Sequence, residues 1–163
     1  MKNTNMKLGV DLGGTKIEAI VLDASGRDIW RRRVPTPNGS YEEVLSAICS
    51  LVGDAKREND MGVSVPVGIG TPGALTCKNH SKIAVMKNSN STVLNGRPLL
   101  DDLTSRLSCR IHIANDANCF ALAEALPGQG KVLSLNGSVD AISETVFGVI
   151  LGTGVGKRYI PSF

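Results

Sequence analysis

Aromatic residues are scarce, at 4% of 163 positions, so any core must be built from aliphatic side chains. Blocks of one charge are missing too. The densest basic cluster is Arg31-Arg32-Arg33, too short for a nucleic-acid tract, and it reads as a solvated strand end. The opening stretch "MKNTNMKLGV" has no apolar run of signal-peptide length, and no stretch of the chain is long and apolar enough to span a bilayer. Four cysteines, at 49, 77, 109 and 119, include no pair at C-x-x-C spacing, so no metal knuckle is visible. Scattered thiols without a secretion signal point to a reducing, cytoplasmic setting. These absences set aside nucleic-acid and membrane partners. What is present is an ordinary globular composition: 42% hydrophobic, 20% charged, net charge +3. The length suits one medium domain, or one domain and a piece of another.

The first 36 residues read as three strands, "KLGVDL", "KIEAIVLD" and "RDIWRRRVPT", with "GGT" at the tip of the first hairpin. Positive φ at the tip would explain its two glycines. Ser40 and Glu43 then form a capping box, followed by Val44, Leu45, Ile48, Leu51, Val52 and Ala55 at helical spacing. "VSVPVGIG" reads as a buried strand. "PLLDDLTSRL" reads as a helix with its leucines on one face, "CRIHIAND" as a short strand and "DANCFALAEAL" as a helix. The order β-β-β-α-β-α-β-α predicts a mixed sheet with helices on its faces. It is similar to the ribonuclease H-like half-domain of actin-like ATPases. That lobe would cover residues 7–128. Residues 129–163 would form a connector and the first strand of a second lobe, "TVFGVILGTGVG", with "KRYIPSF" offering it no partner.

Three glycine patterns bear on chemistry. "GVDLGGTK" has the glycine spacing of a P-loop, at Gly9 and Gly14, but Thr15 precedes Lys16 where a P-loop needs the reverse. Its backbone N–H groups and the Thr15 hydroxyl could still face an anion. "GTGVG", Gly152 to Gly156, is a second strand-to-glycine loop. Each alone could be a plain turn, but two after apolar strands suggest a phosphate site. Gly68, Gly70 and Gly73 spell a dinucleotide fingerprint, yet "GALTCKNHSK" has no helical period and no acid lies about 20 positions on, so that reading fails.

Asp116 lies in "IANDAN", where a strand gives way to a helix. Capping alone would account for an Asp there, but strand ends in α/β sheets are also where ligands bind. Asn88 and Asn90 in "MKNSNST" add amides that both donate and accept, as hydroxyl-rich ligands require. Solvated loop residues are the plain alternative.

Taken in order, these segments resemble the ROK family of sugar kinases and repressors. "GVDLGGTKIEAIVLD" and "ILGTGVG" resemble its two phosphate motifs, "GIGTPGAL" its glycine-proline sugar loop, "KNSNS" its asparagine loop and "IANDANCFALAEA" its catalytic segment. "VMKNSNSTVLNGRPL" and "ANDANC" resemble the fructokinase branch most. N-acetylglucosamine kinases and glucokinases share much of the pattern.

The resemblance implies an ATP-dependent hexose kinase working with Mg²⁺, most simply converting fructose to fructose 6-phosphate. Two hairpins, rather than a P-loop, would close on the triphosphate. Asp11 would face the metal or its waters. Gly13, Gly14, Thr15 and Lys16 would line the phosphates opposite Gly152, Thr153 and Gly154. Asp116 would be the general base, ionised at a helix N-terminus, with Gly73, Asn90 and Asn115 holding other hydroxyls. The family commonly pairs into homodimers and carries a structural zinc in its second lobe. This chain shows neither the zinc cysteines nor the rest of that lobe. The sequence therefore predicts a truncated and inactive chain, or a non-catalytic remnant.

Overall fold

The computed structural model describes residues 6–77, 83–119, 146–151 and 155–160. The chain forms two compact units, Met1–Ala114 and Asn115–Phe163. In the first, strands β1 (Lys7–Leu12), β2 (Lys16–Leu22) and β3 (Asp28–Pro35) form the expected antiparallel meander. Helix α1 (Tyr41–Glu58) leads to β4 (Val67–Thr71), and β5 (Ala74–Cys77) and β6 (Ala84–Lys87) make a small hairpin. A 3-10 turn (Thr92–Leu94) and α2 (Leu99–Leu107) precede β7 (Ile111–Asn115). The main sheet has the order β3-β2-β1-β4-β7, with β4 parallel to β1.

Alternation decides which face is buried. Leu8, Val10 and Leu12 of β1, Ile17, Ala19 and Val21 of β2, and Val67 and Ile69 of β4 all point into the core. Helix α1 contributes Val44, Leu45, Ile48, Leu51, Val52 and Ala55, the six positions its periodicity predicts. Burying each larger aliphatic side chain is worth about 1.5–3 kcal/mol, and among the described residues no aromatic ring takes part in the buried cluster. Ser40 caps α1 by accepting the Glu43 N–H at 3.2 Å. Helix α2 buries Leu99 and Leu103 and is tied to α1 by Tyr41, whose hydroxyl donates to Asp102 at 2.6 Å, and by a forked Arg106–Glu42 pair.

The three arginines of β3 are paired. Arg31 and Arg33 both reach Glu18 on the next strand, while Arg32 on the opposite face meets Asp54 and Glu58 of α1, each at 2.9 Å. Arg32 also lies over the Trp30 ring. The basic cluster is thus consumed within the domain.

Two expectations are corrected. Gly13 and Gly14 are not in the left-handed region, whose glycines are Gly26, Gly73 and Gly96 among the described residues. Gly13 is needed for closeness instead: a Cβ there would sit 3.0 Å from the Lys16 carbonyl. The dinucleotide reading, already set aside on sequence, finds no support either: Ala74–Cys77 is a strand paired with β6 where that motif needs a helix. Second, the described part of "KRYIPSF", Lys157–Ile160, does hold a partner. In the second unit, β8 (Val146–Leu151) pairs antiparallel with β9 (Val155–Ile160), in register from Val146↔Ile160 to Leu151↔Val155. Lys157 and Arg158 masked this strand, but ladder bonds are made by the backbone and need no apolar side chain. The second unit therefore contains a hairpin, not a single strand. The expected helix beyond Cys119, the connector and the tip at Gly152, Thr153 and Gly154 lie outside the described residues.

Candidate functional site

β1 and β4 are parallel neighbours with Asp11 beside Gly70, so both leave the sheet at its carboxyl end. That end is where open α/β sheets receive ligands. Two loops emerge there, Gly13–Thr15 from β1 and Pro72–Gly73 from β4.

The first loop is held from behind. The Gly13 N–H donates to the Lys16 carbonyl at 2.9 Å. Thr36, just beyond β3, donates its hydroxyl to the Gly13 carbonyl at 2.8 Å and its N–H to the Thr15 carbonyl at 3.0 Å. In a trans peptide the N–H points opposite the C=O, so tying the Gly13 carbonyl to Thr36 turns the Gly14 N–H away from it. Gly14, Thr15 and Lys16 are exposed. A Cβ on Gly14 would meet nothing within 4 Å. Its glycine thus answers neither a strained φ nor internal crowding, and the space beside it is open to a close ligand.

Asp11 is exposed, on the face opposite buried Val10 and Leu12, and stands directly across from Glu18 on β2. Facing carboxylates repel. Partial burial would raise the Glu18 pKa, yet the guanidinium groups of Arg33 and Arg31 hold it below the usual carboxylate range. Glu18 stays charged but compensated beside Asp11.

The second loop joins two sequence motifs. Gly73 has φ +95°, and a Cβ there would lie 2.7 Å from the Lys87 carbonyl and 2.9 Å from the Ser89 nitrogen. Only glycine fits. The β5–β6 hairpin pairs Ala74 with Lys87 and so brings the asparagine loop back against Gly73. Asn88 is left-handed at φ 58°, a conformation Asn tolerates. Ser89 is buried, while Asn88 and Asn90 are exposed. The Asn95 side chain accepts the Ser89 N–H at 2.9 Å and donates to the Ser89 carbonyl at 3.1 Å.

In the second unit, a helical turn opens at Asp116. The Ala117 N–H is shared by Asn115 Oδ1 at 3.1 Å and Asp116 Oδ1 at 2.7 Å, so both side chains cap it. Asp116 is exposed. Among the described residues no group of three or more His, Cys, Asp or Glu side chains could hold a metal alone. No helix among them is long and apolar enough to cross a membrane.

Sequence reasoning missed Thr36 and Asn95. Both had signals: Thr36 is the one polar residue between Pro35 and Pro37, and Asn95-Gly96 is a turn dipeptide.

Comparison with known proteins gives the lineage. Residues 7–160 match the ROK family. The chain belongs to that family. An N-acetyl-D-glucosamine kinase of Escherichia coli O127:H6 is 43% identical over 156 residues, covering 95% of this chain and 46% of that protein. The ROK chain spans about half the length of the curated relatives it matches. Among solved structures, the inorganic polyphosphate/ATP-glucomannokinase of Arthrobacter sp. strain KM superposes with TM-score 0.69 at 30% identity, over 96% of this chain and 58% of that one. A ROK family glucokinase of Streptomyces griseus, in complex with glucose and AMPPNP, gives TM-score 0.63 at 29% identity, over 96% and 45%. The mixed sheet and its connectivity are thus those of ROK kinases, and the chain corresponds to their amino-terminal portion.

Proposed function

We propose that this chain supplies the amino-terminal part of an ATP-dependent sugar kinase, transferring the γ-phosphoryl group to a hydroxyl of N-acetyl-D-glucosamine. The observation that carries this reading is the 43% identity to an N-acetyl-D-glucosamine kinase over 95% of the chain. D-Fructose is the second acceptor to weigh, because "VMKNSNSTVLNGRPL" and "ANDANC" resemble the fructokinase branch.

Phosphoryl transfer asks a protein for positioning and charge neutralisation more than for covalent help. The Gly14 N–H and the Thr15 hydroxyl suit phosphate oxygens, and Lys16 adds a positive charge. Gly152, Thr153 and Gly154 would contribute further phosphate contacts. Asp11 offers hard carboxylate oxygens, which fit Mg²⁺. That ion is commonly held by one or two carboxylates together with phosphates and water rather than by an all-protein cage. Bound there, it would neutralise charge on the transferring phosphates.

On the acceptor side, Gly73 lets the asparagine loop pack against its own, and Asn90 and Asn115 supply amides. Asp116 uses one carboxylate oxygen for capping. Its other oxygen can take the proton of the acceptor hydroxyl as general base.

The test is a panel of N-acetyl-D-glucosamine, D-fructose and D-glucose in a coupled ADP-release assay with MgATP, run on this chain completed by the remaining part of a ROK kinase. The reading expects sugar-dependent release that is greatest with N-acetyl-D-glucosamine. Greatest release with D-fructose would install the second acceptor, and release independent of sugar would overturn both.

A further inference from the structure

We propose that Asn95 is a positioning residue for the acceptor loop: its side-chain amide holds the main chain of Ser89 and so fixes the place from which Asn90 meets the sugar. The inference rests on the sugar-kinase reading above.

β6 ends at Lys87, and the ladder bonds end with it. Residues 88–90 must be held by something else. The Asn95 carboxamide accepts from the Ser89 N–H and donates to the Ser89 carbonyl, at 2.9 and 3.1 Å. It thus does for one residue what a neighbouring strand would do. An amide is the group for this, since it carries a donor and an acceptor on one short planar unit.

Asn95 is itself anchored. Leu94 beside it is fully buried. Gly96, at φ +78°, donates to the Met86 carbonyl at 2.8 Å, and the Met86 N–H donates to the Arg97 carbonyl at 3.0 Å. The segment 87–96 is therefore a closed loop pinned at its base to β6, with Asn95 reaching into it.

The opposite wall is Gly73, whose missing Cβ leaves the room that Ser89 occupies. Ser89 is clasped between the two sugar motifs through its main chain. Its side chain does not explain the fit. Ser89 is 5% exposed and its hydroxyl has no hydrogen-bond partner among the described residues. A buried hydroxyl without a partner is a cost, and Ser89 remains in place because its backbone is held. Asn90, the next residue, is exposed and takes its position from that hold.

The experiment uses the 163-residue chain with Asn95→Ala and Asn95→Asp. Ser89 amide exchange is read by NMR, thermal unfolding is recorded, and each protein is titrated with N-acetyl-D-glucosamine, D-fructose, D-glucose and MgATP. In Asn95→Ala, Ser89 should exchange at least about tenfold faster, and affinity for the sugar that binds should fall by about tenfold, the scale of one or two net hydrogen bonds. MgATP affinity should stay unchanged. Asn95→Asp keeps the acceptor for the Ser89 N–H but turns a second acceptor toward the Ser89 carbonyl. It should give intermediate protection with a similar sugar loss, and it serves if the alanine variant does not fold. Unchanged Ser89 exchange, or sugar and MgATP affinities falling together with the melting temperature, would overturn the proposal. A parent chain that binds none of the three sugars overturns the acceptor reading itself, and Ser89 exchange then still decides whether Asn95 holds the loop.

Discussion

The hydroxyl of Thr36 donates to the carbonyl of Gly13 at 2.8 Å, across 23 positions of sequence. Together with the bond from the Thr36 N–H to Thr15, it makes the end of β3 the brace of the first glycine loop. Thr36→Val keeps the shape and the N–H bond but removes the hydroxyl. Its expected cost in stability is about 1 kcal/mol, with the Gly13 carbonyl left unpaired in a part-buried place. MgATP affinity should fall several-fold while sugar affinity holds. Thermal unfolding and parallel titrations check both. Equal weakening for the two ligands would remove Thr36 from the phosphate loop's support.

Gly73 and Gly14 should behave oppositely. Alanine at Gly73 must take φ +95° and meet the Lys87 carbonyl at 2.7 Å, which backbone cannot yield cheaply. A loss of about 1–3 kcal/mol or more is expected from strain and crowding. Gly14→Ala meets nothing, so its stability should stay within about 0.5 kcal/mol of the parent. Gly14→Val should leave the fold intact and weaken MgATP, because its methyl groups occupy the space offered to phosphate. Chemical unfolding and nucleotide titration separate the two sites. Unchanged MgATP affinity in Gly14→Val would reduce "DLGGT" to a plain turn.

Several carboxylates titrate below their ordinary range in the folded chain. Glu18 does so against partial burial, through Arg33 and Arg31. Glu42 is lowered by Arg106, Asp54 by Arg57 and Arg32, and Glu58 by the Trp30 N–H and Arg32. A folded pKa below the unfolded value means that the unfolded chain binds protons first as pH falls. The stability these groups contribute is therefore fully present above about pH 5 and drains away below the ordinary carboxylate pKa of about 4. Melting temperature should be flat with pH on this account from about 6 to 8 and drop through the acid range, with a shallower drop in Glu18→Gln. A melting temperature that rises on acidification would contradict the assignment.

Local pattern made much of this fold legible. The six apolar positions of α1, its Ser40 cap and the alternation of β1 and β2 are each short-range signals, and each was met in the structure. The strands that escaped, β5, β6 and β9, are short or carry charge, and their pairing is made by backbone groups that leave no mark on side-chain periodicity. The glycines of the first loop were visible but wrongly explained, since a close approach to Lys16 and an open flank look like a strained turn in one dimension. Thr36 and Asn95 carried turn signals, but not the role they play: each acts on a main-chain group, and a main-chain partner has no letter of its own.

The central claim is phosphoryl transfer to a hexose hydroxyl with Asp116 as base. It is tested most directly by placing residues 7–160 of this chain in exchange for the matched part of the E. coli N-acetyl-D-glucosamine kinase and measuring transfer of labelled γ-phosphate, with and without Asp116→Asn. The amide keeps the shape but cannot take the proton. The account predicts sugar-dependent transfer in the parent exchange and a loss of about 10²–10⁴-fold in kcat in the variant, with sugar affinity retained within several-fold. A folded exchange protein that transfers phosphate equally well with Asn at position 116 would contradict it.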